Sequence, residues 1–173
     1  MTITYGPAMA GQVSGLADIA DATLFPGEML PGMIAPFLDG AEDALWLSAV
    51  DGEGPVGLTF LAPEEMADAV WNMKALAVAP ERHRAGIGRG LVAAAEDALR
   101  AQGARMVLVD TSSDPAQRPA VAFYLKQAFR IEAVIRDFWS LGEDKITLTK
   151  VLQSGWVRSY GPIPLLRGIV RLA

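Results

Sequence analysis

The sequence contains no cysteine among its 173 residues and only one histidine, His83. The lack of cysteine excludes disulfide bonds, thiolate metal sites and a cysteine nucleophile. A single imidazole excludes a zinc site with several histidines, and a serine–histidine–aspartate arrangement could use only His83. No apolar stretch of about eighteen residues is free of charge or of clustered glycine and proline, so no membrane span is predicted. With no basic residue near the N-terminus to suggest a secretory signal, these absences predict a cytoplasmic protein.

Basic residues are absent from the whole first part of the chain. Residues 1–73 carry eleven acidic side chains and no lysine or arginine, and residues 74–173 carry fifteen basic against nine acidic ones. The two parts have net charges of −11 and +6 within an overall charge of −5. Such a division suggests two faces with different ligands, although mutual attraction of two solvated parts would also explain it. At this net charge nucleic acid is not an expected partner.

Half of the residues are hydrophobic, and the length suits one domain with a substantial core. Hydrophobic runs bounded by turn residues predict strands at 2–5, 44–50, 55–63, 69–78, 105–111, 131–139 and 145–152. Periodic patterns predict helices within 12–38, broken at Pro26-Gly27 and again near Pro31-Gly32, and at 87–102 and 118–129. This order predicts an α/β (α+β) fold with a mixed, mostly antiparallel twisted sheet. One parallel pair, 69–78 and 105–111, would be joined through a helix.

The segment between the strand at 69–78 and the helix at 87–102 has the composition of an anion-binding loop. Gly86, Gly88 and Gly90 lie at the start of the helix, and Arg82, Arg84 and Arg89 surround them. Glycines let a ligand approach the backbone, and the unpaired N–H groups of a helix N-terminus attract phosphates. Arginines add charge and paired donors. The segment therefore predicts a phosphate-binding site, with a solvated connecting loop as the simpler alternative.

Two other phosphate-binding motifs agree less well with this segment. The nucleoside-triphosphate pattern G-x-x-x-x-G-K-[ST] is absent. A dinucleotide fold is a closer rival, because Gly86-Ile87-Gly88 precedes a helix and a strand, and Asp110 lies about twenty residues on, where a ribose-binding acid would lie. However, Leu91 occupies the third glycine position, and seven residues separate Val78 from Gly86. A dinucleotide-binding oxidoreductase is thus disfavoured.

Three segments together resemble the GNAT superfamily of N-acetyltransferases. "ALAVAPERHRAGIGRGLV" is similar to the central family motif Q/R-x-x-G-x-G/A, with His83 at its first position. "PAVAFYLKQAF" is similar to the second motif, with Phe123-Tyr124 as its aromatic pair and Ala128 where glycine is usual. "RDFWSLGEDKITLTKVL" is similar to the final hairpin of some members. The three segments occur in the family's order, and the resemblance covers residues 44–152.

The resemblance implies acetyl-coenzyme A as co-substrate, held where the parallel strands splay apart. It implies that the pantetheine pairs with main-chain groups near Leu76 and Val78. It implies that the pyrophosphate lies on the motif and its flanking residues, namely His83, Arg84, Ala85, Gly86, Ile87, Gly88 and Arg89. It also implies Tyr124 as the catalytic acid for the leaving thiolate. No metal is expected.

The resemblance implies direct attack by a primary amine of a small molecule or peptide, in a ternary complex. The lack of cysteine supports this, because no acyl-cysteine intermediate can form. The general base is not identified: the strand at 69–78 has no acid, and Glu81 and Asp110 are only the nearest carboxylates. The acid-rich first part would line the acceptor cleft and favour a cationic amine.

The predicted domains are a GNAT-like domain at 1–152 and a C-terminal extension at 153–173. The extension carries several large apolar side chains, which would pack on the domain or on a partner subunit, so a homodimer stays open. A second functional hypothesis is a non-catalytic domain of the same fold that binds coenzyme A or a partner protein. The missing strand acid and the histidine at the first motif position keep this alternative open.

Overall fold

The computed structural model describes residues 2–153. The predicted C-terminal extension, apart from Gln153, lies outside the described residues, so its packing stays a prediction. Within the described residues no helix is long and apolar enough to cross a membrane.

Seven strands form one mixed sheet within residues 2–153, and four α-helices cover it. The strands are β1 (Thr4–Pro7), β2 (Leu45–Asp51), β3 (Gly54–Pro63), β4 (Val70–Val78), β5 (Met106–Ser112), β6 (Arg130–Ser140) and β7 (Glu143–Val151). The helices are α1 (Val13–Thr23), α2 (Leu30–Leu38), α3 (Ile87–Ala101) and α4 (Arg118–Lys126). The spatial order of the strands is β1-β2-β3-β4-β5-β7-β6, and only β4 and β5 run parallel. The predicted fold class is confirmed.

The alternating side chains of the sheet supply two separate cores. In β2, Leu45 and Leu47 belong to the core that α3 and α4 cover, whereas Trp46 belongs to the core under α1 and α2. Successive residues of a strand point to opposite faces, so β2, β3 and β4 each contribute to both cores. We refer to these two surfaces of the sheet as the α3/α4 face and the α1/α2 face.

A β-bulge at Lys74 reverses this alternation in the middle of β4. Phe60 pairs with Ala75, but the next residue of β3, Leu61, pairs with Met73, so Lys74 is the extra residue. Before the bulge, Met73 belongs to the α3/α4 face; after it, Ala75 belongs to the α1/α2 face. The bulge thus decides which side chains of β4 reach each face.

The parallel pairing of β4 and β5 is short and then ends. The two strands pair at Val70–Met106, Trp71–Val107 and Asn72–Leu108. Beyond Asn72, β4 continues to Val78 alongside β3, while β5 continues to Ser112 alongside β7. A gap therefore opens between β4 and β5 and widens toward the N-terminus of α3, as the prediction of a splayed pair requires.

Two predicted helix boundaries differ from the structure. The second break near Pro31 is wrong, because α2 begins at Leu30 and its first turn tolerates a proline without an N–H. The helix predicted to reach residue 129 ends at Lys126, and Ala128 then adopts a left-handed φ of 65°. This turn places Phe129 in the core against Tyr124. Alanine adopts here a conformation that favours glycine.

Candidate active site

The N-terminus of α3 is open to solvent. Gly86 precedes the helix with a φ of 81°, and among residues 2–153 no side chain caps the first turn. The segment from His83 to Gly86 is exposed. The first amides of a helix have no acceptor within it, and here they point outward with the positive end of the helix dipole. An anion can therefore reach these N–H groups, so the residues present fit the diphosphate of coenzyme A.

The side chains of the loop before α3 divide into those bound by the protein and those that face solvent. Arg82 lies 3.0 Å from the carboxylates of both Asp51 and Glu53 on the β2–β3 turn. The Asp51 side chain is fully buried, and its charge needs this partner. Arg82 thus anchors the loop to the sheet, whereas Arg84 and Arg89 are exposed at the helix mouth.

His83 has a bond within the protein. Its Nε2 lies 3.0 Å from the carbonyl oxygen of Val78, and because a carbonyl only accepts, the ring nitrogen donates. The imidazole therefore links the loop to the end of β4. The Nε2–H group of His83 is therefore already bonded to the protein, whereas the resemblance would have it donate to the co-substrate.

The main-chain groups of Leu76 and Val78 face the gap. The N–H of Ala79 donates to the carbonyl of Val56 at 3.0 Å, so this residue points its N–H toward β3. Successive peptide groups of a strand point in opposite directions, and those of Leu76 and Val78 therefore point toward β5. There the parallel ladder has already ended. Within residues 2–153 this edge of β4 has no β5 partner beyond Asn72, and the carbonyl of Val78 accepts from His83 Nε2. The resemblance places the pantetheine along this edge.

Tyr124 lies at the beginning of the gap on the α3/α4 face. Its side chain is buried between Phe123 and Phe129, and its hydroxyl donates to the sulfur of Met73 at 3.9 Å. Met73 directly follows the last residue of β4 that pairs with β5. Burial raises the pKa of Tyr124 well above its ordinary value, so the phenol keeps its proton. The thioether sulfur of Met73 is a weak hydrogen-bond acceptor, so the Tyr124 hydroxyl could donate instead to a stronger acceptor.

The α1/α2 face presents carboxylates at the same position along β4. A cavity of about 530 Å³ is lined by Glu42, Asp43, Phe60, Ala62, Pro63, Glu64, Glu65 and Lys74. Four of these side chains are acidic and one is basic. The amide of Asn72, a buried residue of β4, donates to Glu64 Oε2 at 3.2 Å. Acidic residues of the first part of the chain therefore line a cavity on this face of the sheet, next to Lys74 of β4.

Glu64 was not predicted from the sequence, and the two acids named there, Asp110 and Glu81, have other partners or lie elsewhere. Asp110 is held by Lys145 at 2.7 Å and Thr147 at 2.6 Å. Glu81 is exposed on a different cavity, beside Asp51 and Arg82. A signal for Glu64 exists in the hairpin of β3 and β4, since residues just after β3 return opposite the start of β4. Among residues 2–153 no cluster of side chains suited to a metal ion occurs.

Comparison with known proteins identifies the class to which this architecture belongs. The model of the acetyltransferase (GNAT) family matches residues 15–129. The chain therefore belongs to the acetyltransferase (GNAT) family. No curated protein matches the sequence.

Solved structures share the fold at low sequence identity. A GNAT-family protein from Desulfovibrio desulfuricans is 21% identical, with a TM-score of 0.81 over 88% of this chain and 100% of that one. An aminoglycoside 6'-N-acetyltransferase complexed with coenzyme A is 18% identical, with a TM-score of 0.72 over 88% and 98%. The ribosomal-protein-S18-alanine N-acetyltransferase of Escherichia coli is 16% identical, with a TM-score of 0.72 over 92% and 100%. These likenesses show the shared fold.

The family match confirms three predictions made from the sequence. The chain is a GNAT-family protein, its enzyme class is acetyltransferase, and its co-substrate is acetyl-coenzyme A. The roles of individual residues, the acceptor, the oligomeric state and the cytoplasmic location stay predictions.

Proposed function

We propose that this acetyltransferase acetylates a primary amine of a small molecule or peptide, by direct attack in a ternary complex, and that it prefers a cationic acceptor. The observation that carries this proposal is the gap between β4 and β5. We assign the Tyr124 hydroxyl, which contacts Met73 of β4, as the proton donor on one face, and the acidic cavity beside Lys74 of β4 as the acceptor site on the other. The absence of cysteine from the sequence is consistent with direct transfer.

Acetyl-coenzyme A supplies an acetyl group activated as a thioester. In our proposal the amides of residues 84–89 and the side chains of Arg84 and Arg89 hold its diphosphate. His83 fixes this segment to the end of β4 through its hydrogen bond to the carbonyl of Val78. The gap-facing main chain of Leu76 pairs with the pantetheine. The N–H of Val78 donates to the acyl oxygen, where negative charge develops during transfer.

Tyr124 stabilises the leaving sulfur in this scheme. As the nitrogen–carbon bond forms, the carbon–sulfur bond breaks and its electron pair remains on sulfur. A phenol with a raised pKa is a weak acid, so its main contribution is a hydrogen bond to the thiolate. The proton that finally neutralises the thiolate balances the second proton lost by the nitrogen. Over the whole reaction one proton, from the acceptor's ammonium group, is released to solvent.

The charge of the acidic cavity supports a cationic acceptor. Three further carboxylates accompany Glu64 there, and Lys74 alone opposes them. At an effective dielectric constant of about 20, a single charge pair separated by about 6 Å is worth roughly 3 kcal/mol before solvent screening. Solvent screening of these exposed groups lowers that energy. A tenfold higher kcat/KM for a cationic acceptor needs only about 1.4 kcal/mol, so the screened interaction is of the right size.

Three acceptors of equal chain length test the proposal. Butylamine, 1,4-diaminobutane and 4-aminobutanoate differ only in a neutral, positive or negative far end. We expect release of free coenzyme A thiol, with kcat/KM highest for the diamine and at least about tenfold lower for 4-aminobutanoate. Calorimetric titration with coenzyme A shows separately that the co-substrate site is intact. Coenzyme A binding without thiol release from any amine would contradict acetyl transfer to amines, and a preference for 4-aminobutanoate would contradict the cationic acceptor.

A further inference from the structure

The strand that borders the gap carries no acid of its own. At the end of the parallel ladder its residues are Asn72, Met73 and Lys74. An amine acceptor is mostly protonated near neutral pH, because alkyl amines have pKa values near 10, and a protonated nitrogen cannot attack. The proton acceptor is therefore either water or a side chain from another segment of the chain.

The structure assigns this task to Glu64: we propose that its carboxylate takes the proton from the acceptor's ammonium group. This inference rests on the function proposed above. Glu64 follows β3, and its backbone is fixed on both sides. Its N–H donates to the carbonyl of Val70 at 2.8 Å, and its own carbonyl accepts from Ala67 at 3.2 Å. The side chain thus starts from a defined position beside β4.

Asn72 orients the carboxylate. It is 8% exposed, it is the last residue of β4 that pairs with β5, and its amide donates to Glu64 Oε2. The bond engages Oε2 of Glu64, and the same residue lines the acidic cavity. Asn72 is in this scheme a positioning residue, since it acts through Glu64.

The placement of Glu64 complements that of Tyr124. Asn72 and Met73 are neighbours in a strand, so their side chains point to opposite faces of the sheet. Asn72 holds Glu64 on the α1/α2 face, and Met73 contacts the Tyr124 hydroxyl on the α3/α4 face. One proton is removed on the side where the nitrogen arrives, and a hydrogen bond is supplied on the side where the sulfur departs.

The proton balance of this step is simple. The ammonium N–H bond breaks, its electron pair stays on nitrogen, and the proton joins Glu64. The carboxylic acid so formed then releases the proton to water, since the cavity is open to solvent. The charged groups that share the cavity are Glu42, Asp43, Glu65 and Lys74, and they make up the electrostatic surroundings of Glu64.

The test compares the pH dependence of kcat/KM for 1,4-diaminobutane in four variants. Glu64→Gln should lower kcat/KM about a hundredfold near neutral pH, which is the lower range of general base catalysis. The loss should shrink by about tenfold for each pH unit toward the pKa of the amine, because more acceptor is then already neutral. Glu64→Asp keeps a carboxylate and should keep the pH profile of the wild type. Glu65→Gln removes the same charge from the same cavity and should change KM without this pH-dependent loss. Asp68→Asn alters an exposed acid of the same loop outside the cavity and should have no effect.

Two measurements without turnover separate the possible failures. Thermal unfolding and coenzyme A affinity of Glu64→Gln should equal those of the wild type. If the wild type is active and the kcat/KM of Glu64→Gln lies within threefold of the wild-type value, the proposed role of Glu64 is overturned. A loss of kcat/KM that does not change with pH would also overturn it. The same pH-dependent loss in Glu65→Gln would overturn it as well. If instead the wild type binds coenzyme A but releases no thiol with any amine, the function proposed above fails first.

Discussion

The two faces of β4 differ in the kind of group that each brings to the gap. On the α3/α4 face the groups are a buried phenol, a thioether and the open amides at the start of α3. On the α1/α2 face they are carboxylates around a cavity, with Asn72 and Lys74 as the contributions of β4 itself. The contacts of Glu64 and Tyr124 with β4 fall on adjacent residues, Asn72 and Met73, at the end of the parallel ladder.

In our proposal this difference separates the two substrates by charge. Backbone amides and arginines would attract the anionic co-substrate on one side, and carboxylates would attract a cationic acceptor on the other. The division in the sequence between an acidic first part and a basic second part has its structural counterpart here. A change on the α3/α4 face should therefore affect coenzyme A binding or the departure of sulfur. A change on the α1/α2 face should affect the binding or deprotonation of the acceptor. The Glu64 and Glu65 variants described above test this expectation.

The largest effect on the α3/α4 face is expected from Tyr124→Phe. The variant loses one hydrogen bond to a developing thiolate, which is worth about 1.5–3 kcal/mol for a charged acceptor and corresponds to about a 10- to 100-fold lower kcat. Coenzyme A affinity should stay within about twofold, since the aromatic ring remains. Steady-state kinetics and calorimetry measure the two quantities. An unchanged kcat would show that Tyr124 does not assist the leaving sulfur. The α3/α4 face would then not supply the proton donor of the proposed mechanism.

A smaller effect is expected at the mouth of α3, where Gly86 and Gly103 form a matched pair. They lie near opposite ends of the same helix, with φ values of 81° and 76°, and neither has a protein atom close to the position of an added Cβ. Alanine at either position should lower the free energy of unfolding by about 1–2 kcal/mol through backbone strain. Only Gly86→Ala should weaken coenzyme A binding, by about tenfold, because its Cβ would stand among the phosphate-binding amides. Equal affinities in the two variants would place the diphosphate elsewhere.

The smallest effect concerns stability at high pH. Burial raises the pKa of Tyr124 above its ordinary 10.0, so above pH 10.0 the unfolded chain releases this proton while the folded protein keeps it. Folding stability from this group is complete below pH 10.0 and falls above it, by up to about 1.4 kcal/mol per pH unit. Tyr124→Phe removes this dependence. Denaturant titrations of both proteins at about pH 9 and about pH 11 should show a smaller loss in the variant, and identical losses would mean that the phenol titrates freely.

The local pattern of the sequence was enough to predict the helix mouth. Glycines at 86 and 88, a preceding strand and a following amphipathic helix all occur within one continuous segment. Neighbours in sequence are here neighbours in space, so the N-terminus of α3 and its open amides follow from spacing alone. The role of Arg82 did not follow, because its partner Asp51 lies on a turn far away in sequence.

The position of Tyr124 was predicted in part. The motif placed it on a helix after β5, but its contact with Met73 depends on how α4 packs across β4. Glu64 was not predicted at all. Its approach to Asn72 depends on the register of β3 and β4, in which Ala62 pairs with Asn72, and the strand pattern alone does not determine that register.

The sequence by itself determined the class of fold and the glycine-rich N-terminus of α3, and it excluded cysteine and multi-histidine chemistry. These properties depend on composition and on residues close together in the chain. Only the tertiary structure decided where β4 and β5 separate, which face each side chain of β4 reaches, and which carboxylate stands beside the gap. Those properties depend on pairing and packing between segments distant in sequence, where one inserted residue moves the following side chains to the other face.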